Sequence, residues 1–512
     1  MSNLSARLAA ALKGQGGRHA IKTKFIPFGE WMPDLPPWAN PGAITATNVI
    51  PAVNSYGPFP DLEAVATTAL TERARGAIAV KDTAGNAYLY AGTETKLHSF
   101  GTGTFSDVSV AGGYATTSEN YWEFCQYRGD VIATNLDDLV QKITPGAALF
   151  SNLMTSVLKP KFKHMDTVGE FLMGGNTNDA TDGAVPNRVW WSGLGTPADF
   201  DPAAATQSDY ANLGAGGHVQ RIMGGREYAL IFCESMIYRA QYVGAGLVFY
   251  IAPVEAGRGT PIPGSVVALG RMVFYVGEDD FYVFDGAAST PLGLGKVAKT
   301  FRDELDANSY HRVYSAIDPI NQLAMWAYPG SGSQAGLPNR IIMVHWPTKK
   351  WARAEIDVTL IFPSYTKGYT LEQLDAFGTL ETLPDSLDSR RWMGGKFRLG
   401  AFDEAHILSN FTGSNLAATI DTGEFQLNPN GRGVLTRVRP RVDGGTVTVQ
   451  VAGRRTLQDT VTFSTAASPN ADGEAAVLVD AMFHRIRVNI AAGGSWSFID
   501  GCDVLASVTS RR

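Results

Sequence analysis

Six stretches decide the fold: NAYLY (Asn86–Tyr90), DVIAT (Asp130–Thr134), EFLMG (Glu170–Gly174), EYALIF (Glu227–Phe232), RMVFYV (Arg271–Val276) and QLAMWA (Gln322–Ala327). Each opens with one polar residue and runs into apolar sequence. Each is followed by a second short strand: Lys96–Phe100, Asp138–Ile143, Arg188–Ser192, Met236–Ala240, Phe281–Asp285 and Arg340–His345. Short paired strands recurring at roughly 40–50 residues are the pattern of β-propeller blades. The echo lies in strand pattern, not in a shared word such as a WD signature. Six echoes predict about six blades.

Turn signals punctuate this region: Asp82-Thr-Ala-Gly-Asn86, Tyr127-Arg-Gly-Asp130, Gly244-Ala-Gly246 and Asp285-Gly286. Val297–Leu305 (VAKTFRDEL) has apolar residues at helical spacing and predicts one short helix. Ala198–Gly217 and Ala252–Gly264 read as long loops. Outside the echo the character changes. Residues 1–60 hold the apolar run Leu4–Leu12, read as a short helix with one sticky face or as a disordered tip, and then a Pro-rich arm. Pro removes backbone donors and fixes φ, so the arm is neither a regular helix nor a central strand. It carries Phe25, Phe28, Trp31 and Trp38, aromatics expected to dock on another domain or subunit. Residues 361–394 read as a connector, with a short helix within Leu371–Leu387. Residues 395–512 alternate apolar and polar positions in several short strands, as in TVTVQV (Thr446–Val451) and HRIRVNI (His484–Ile490). The expected architecture is mainly β: a β-propeller-like domain at 61–360, and a β-sandwich-like platform at 395–512 completed by the N-terminal arm, 1–60.

Composition narrows the function. Of 512 residues, 45% are hydrophobic and 55 are Gly, which suits many tight turns between short strands. Charged residues are 18%, below the usual ~25%, which fits either a surface largely covered by partners or an ordinary Gly-rich β-protein. The net charge is −6, and no basic patch of the kind that grips nucleic acid is present. Cys125, Cys233 and Cys502 are far apart, which argues against a disulfide framework or a structural zinc site and for a reducing compartment. No signal peptide or membrane span is expected.

The search for chemistry yields little. Eight His are scattered without a pair at i,i+3 or i,i+4, and neither a nucleophile elbow nor a Walker A loop occurs. No catalytic residue, cofactor or metal site is assigned. Glu278-Asp279-Asp280 is the best carboxylate cluster, and it lies where a hairpin turn is expected. Asn176–Gly183 (NTNDATDG) is rich in oxygen ligands but lacks the EF-hand spacing and its terminal Glu, so it reads as a solvated loop. In Trp190-Trp191 adjacent strand residues face opposite sides, so at most one is a surface contact. Glu278, Asp279, Asp280 and Trp191 are the candidates for an alternative function: a carbohydrate-binding or glycan-depolymerising propeller recognising a host surface.

Read in order, six passages resemble one family: the tail nozzle (tail tubular or hub) proteins of short-tailed, double-stranded DNA phages. They are ITATNVIP (Ile44–Pro51), NRVWWSGLGTPADF (Asn187–Phe200), FYVFDG (Phe281–Gly286) with the helix that follows, HWPTKKWA (His345–Ala352), SLDSRRWMGG (Ser386–Gly395) and the final HRIRVNIAAGGSWSFIDGCDV. The similarity spans nearly the whole chain and rests on the order of short structural motifs. It implies a non-enzymatic virion protein, six copies of which form a ring extending the portal and adaptor channel. That ring retains the genome and conducts DNA during ejection. The implied partners are other copies of the chain, the head-to-tail adaptor, tail fibres or spikes, double-stranded DNA passing without sequence-specific binding, and the host envelope. The implied location is the virion tail, after assembly in the host cytoplasm. In that setting Phe25, Phe28, Trp31 and Trp38 are the expected adaptor or subunit contacts. The chain departs from larger members in lacking their extra insertions.

Overall fold

The two strands of each echo are the two middle strands of a four-stranded antiparallel sheet. The computed structural model of the chain describes residues 21–101, 103–118, 120–366, 395–428 and 431–508. The runs Leu4–Leu12 and Leu371–Leu387, most of Ser386–Gly395 and the terminal Arg pair lie outside the described residues. The chain divides into two units, residues 1–59, 350–352 and 415–512 forming one, and 60–349 with 353–414 forming the other.

The larger unit is the propeller. Its first sheet runs Gly76–Lys81, Ala87–Gly92, Leu97–Phe100, Phe105–Asp107, and its second Glu123–Tyr127, Asp130–Thr134, Gln141–Ile143, Ser151–Asn152. The third is Lys161–Val168, Phe171–Asp179, Gly183–Trp191, Asp209–Asn212, and the fourth Val219–Met223, Tyr228–Cys233, Met236–Gly244, Val248–Ala256. The fifth is Val267–Leu269, Met272–Val276, Phe281–Phe284, Ser289–Pro291. The sixth begins Tyr314–Asp318, Leu323–Tyr328, Arg340–His345; Lys350–Glu355 follows, of which 353–355 belong to this unit.

A seventh sheet corrects the count of six. Leu360–Tyr365, Phe397–Phe402 and Leu408–Asn415 pair in that order, and Pro60–Ala64, from the start of the unit, forms the outer edge. Thr412 Oγ1 donates to Glu63 across this closure at 2.7 Å. Residues 361–365 are therefore blade and not connector, and 395–414 belong to the propeller and not to the platform. The first strand of each sheet lies innermost, against the first strand of its neighbour from Gly76–Lys81 to Val219–Met223, and again from Val267–Leu269 through Tyr314–Asp318 and Leu360–Tyr365 back to Gly76–Lys81. The fourth and fifth sheets meet through Leu230, Phe232, Ile237, Val266, Val273 and Tyr275. Each blade thus has both faces covered. That is why its middle strands are continuous apolar runs, Leu323–Tyr328 being buried at every position. The expected helix is Ala298–Glu304. The expected loop at Ala252–Gly264 instead begins within the outer strand Val248–Ala256.

The smaller unit is built from both ends of the chain. One sheet holds Val49–Pro51, Tyr56–Pro58, Ile499–Val508, Gly433–Val442 and Ala475–Ala481, with Ile21–Pro27 also paired to Ile499–Val508. In the other, Ala43–Thr47, Ala418–Thr422, Phe483–Ile490 and Val447–Arg454 are neighbours in that order. Alternate residues of Phe483–Ile490 are buried, as a half-covered strand requires. The Pro-rich stretch between the arm's strands is pinned side chain to backbone. Trp31 Nε1 donates to Ile44 O at 3.0 Å, Tyr56 Oη to Gly29 O at 3.0 Å, and Asn40 Nδ2 to Met32 O at 2.8 Å. Gly42 is required there: a Cβ would stand 2.0 Å from Glu30 O.

Candidate functional site

The polar side chains that the propeller brings together are on its axis, and none of them was singled out in the sequence. Inner strands begin at one end of the channel, so polar residues at their starts converge. A cavity of about 300 Å³ there is lined by Arg75, Tyr121, Glu123, Arg221, His311 and Tyr314, among others. Glu123, on the second blade, is the hub. His164 Nδ1 of the third blade lies 2.9 Å from its Oε2, Arg221 Nη1 of the fourth donates to the same oxygen at 2.8 Å, and the Met165 N–H donates to Oε1 at 3.1 Å. Burial alone would push the Glu123 carboxyl upward; the charge of Arg221 and the hydrogen bonds from His164 and the Met165 N–H outweigh it and hold the group below its usual range. Burial lowers His164, so the imidazole is neutral and Nδ1 carries the donated proton. The arrangement ties three blades together.

At the rim, Arg75 Nη1 donates to Thr116 O at 2.9 Å and Thr117 O at 2.7 Å, and its other terminal nitrogen pairs with Glu94. Arg73 Nη1 reaches the Tyr314 hydroxyl at 3.5 Å. Burial lowers the Arg312 guanidinium, and the charges of Arg73 and Arg75 lower it further.

The residues nominated from sequence do not form a common site. Glu278 and Asp279 are exposed in the hairpin turn between Met272–Val276 and Phe281–Phe284, and Asp279 Oδ1 accepts from the Tyr282 hydroxyl at 2.8 Å. Asp280 is buried; its Oδ1 accepts from the Phe281 and Gly293 N–H groups at 2.7 and 3.0 Å. Burial pushes its carboxyl up to about 6. Both tryptophans are interior, which removes Trp191 as a surface contact for a glycan: Trp190 packs between the second and third blades and Trp191 between the third and fourth. Their Nε1 groups donate to Phe200 O at 3.1 Å and Gln207 O at 3.0 Å. In Asn176–Gly183, Asp179 and Asp182 are both engaged by Arg188, and among the described residues no group of three or more His, Cys, Asp or Glu is placed to hold a metal.

The aromatics of the arm divide. Phe28 and Trp31 are 0% and 2% exposed inside the smaller unit and are not available to a partner, which corrects their reading as contacts. Trp38 is 56% exposed, and Phe25 is exposed with the Arg441 guanidinium 4.0 Å over its ring. A second apolar surface was missed. It is the tip of the fourth-blade hairpin, where Tyr242, Val243, Leu247 and Tyr250 are all exposed. The signal was present as an uncharged run from Ala240 to Ile251, centred on Gly244-Ala-Gly246.

No protein-family model matches the chain, and no curated protein matches it. Among solved structures it is similar to BBS1N in complex with ARL6DN, at 10% identity and a TM-score of 0.38 over 70% of this chain and 97% of that one. It is also similar to the extracellular domain of a hybrid two-component system from B. thetaiotaomicron, at 9% identity and a TM-score of 0.39 over 82% of this chain and 47% of that one.

Proposed function

We propose that the chain is a structural virion protein, a subunit of a homohexameric tail nozzle that extends the portal and adaptor channel, retains the genome and conducts DNA during ejection. The observation that carries the reading is the apolar surface left uncovered on each unit: Trp38 on one, and the Tyr242–Tyr250 hairpin tip on the other. Large apolar side chains clustered on a low-charge surface mark a partner interface, and obligate rings have extensive apolar ones. The order of the six short motifs supports the same reading. So does the net charge of −6, since rings of Lys and Arg would hold phosphates and stop DNA from sliding. The axial cavity, at about 300 Å³, takes a small ion and not a duplex, so the DNA bore in this reading lies between copies.

The arm is not a detachable tether in this scheme. It supplies Phe28 and Trp31 to a core, so its deletion would unfold what it is meant to dock. The test therefore uses the whole chain. Native mass spectrometry, with and without the adaptor ring, should give a hexamer, or a monomer that becomes one when the adaptor is added. Trp38→Asp and Val243→Asp with Leu247→Asp should each weaken that assembly while leaving the circular dichroism spectrum unchanged. A chain that stays monomeric and ignores the adaptor would sink the proposal.

A further inference from the structure

We draw no further inference here: the strongest candidate, the exposed strip of Arg437, Arg439 and Arg441 along the strand Gly433–Val442 of the smaller unit, with the Arg441 guanidinium over the ring of Phe25, has its charges already taken up by Glu474 and Asp503, and nothing in the structure shows what covers it.

Discussion

Asp280→Asn should change how the propeller's stability depends on pH more than it changes stability at any one pH. Asp280 is buried, its Oδ1 takes two backbone N–H groups, and its Oδ2 has no partner among the described residues. Its carboxyl is raised from 3.8 to about 6, chiefly by burial. A folded pKa above the unfolded one means that the protonated form is the one the fold favours. The contribution is therefore fully present below about pH 4 and is lost as pH rises through about 6. The gap is worth about 3 kcal/mol, at 1.36 kcal/mol per unit. The amide cannot ionise and keeps the Oδ1 acceptor. Its Nδ2 takes the unpartnered position, at a cost of roughly 1–3 kcal/mol. The variant should thus be less stable than the parent at pH 4 and equal or better at pH 7.5. Scanning calorimetry of both proteins across that range isolates the site, because other titrating groups cancel in the comparison. At very roughly 1–2 °C per kcal/mol for a unit of this size, the difference in midpoints should swing by several degrees between the two pH values. Parallel midpoint curves would refute the reasoning, because a carboxylate with its ordinary pKa produces no such swing.

Three further changes test the packing and the axial network. Trp31→Ala should destabilise the smaller unit by about 3–5 kcal/mol through lost burial and an unfilled cavity, read as earlier unfolding of that unit in denaturant. Glu123→Ala should cost about 3–5 kcal/mol, because it strands the Arg221 charge and the His164 donor at the axis; hydrogen exchange should rise in the second, third and fourth blades together. Gly92→Ala should destabilise the first blade by at least about 1–3 kcal/mol, since its Cβ would stand 2.2 Å from Trp122 Cδ1; Gly85→Ala, in an exposed turn with open space around it, is a control for the proteolysis assay that still carries the strain of a positive φ.

The fold was legible where burial is two-sided. Middle strands such as Tyr228–Cys233 and Leu323–Tyr328 are covered on both faces, so they read as apolar runs, and those runs are what repeats. The seventh blade lacks that mark. Its middle strands, FRLGAF and LSNFTGSN, are half-polar. Residues 366–396 separate the first of them from its inner partner, and the outer strand comes from residues 60–64. Ring closure by a strand distant in sequence leaves no local period to detect. The platform was legible for the opposite reason, because its strands alternate, and the arm's pairing with Ile499–Val508 follows from a sheet that needs its edge covered.

The axial constellation was not legible, and the reason is geometric. Arg73, Glu123, His164, Arg221 and Tyr314 sit on or just before five different inner strands, one per blade, so no spacing along the chain relates them. They meet only because the ring brings those starts to one end of one axis. The carboxylates that did stand out, Glu278-Asp279-Asp280, are adjacent for the opposite reason: a two-strand hairpin needs a tight polar turn. Adjacency in sequence marked a turn, and the convergent charges came from residues tens to hundreds of positions apart. In a closed ring of blades the residues to compare are therefore those opening each inner strand. Applied here, that comparison picks out an axis rich in guanidinium groups within a chain of net negative charge.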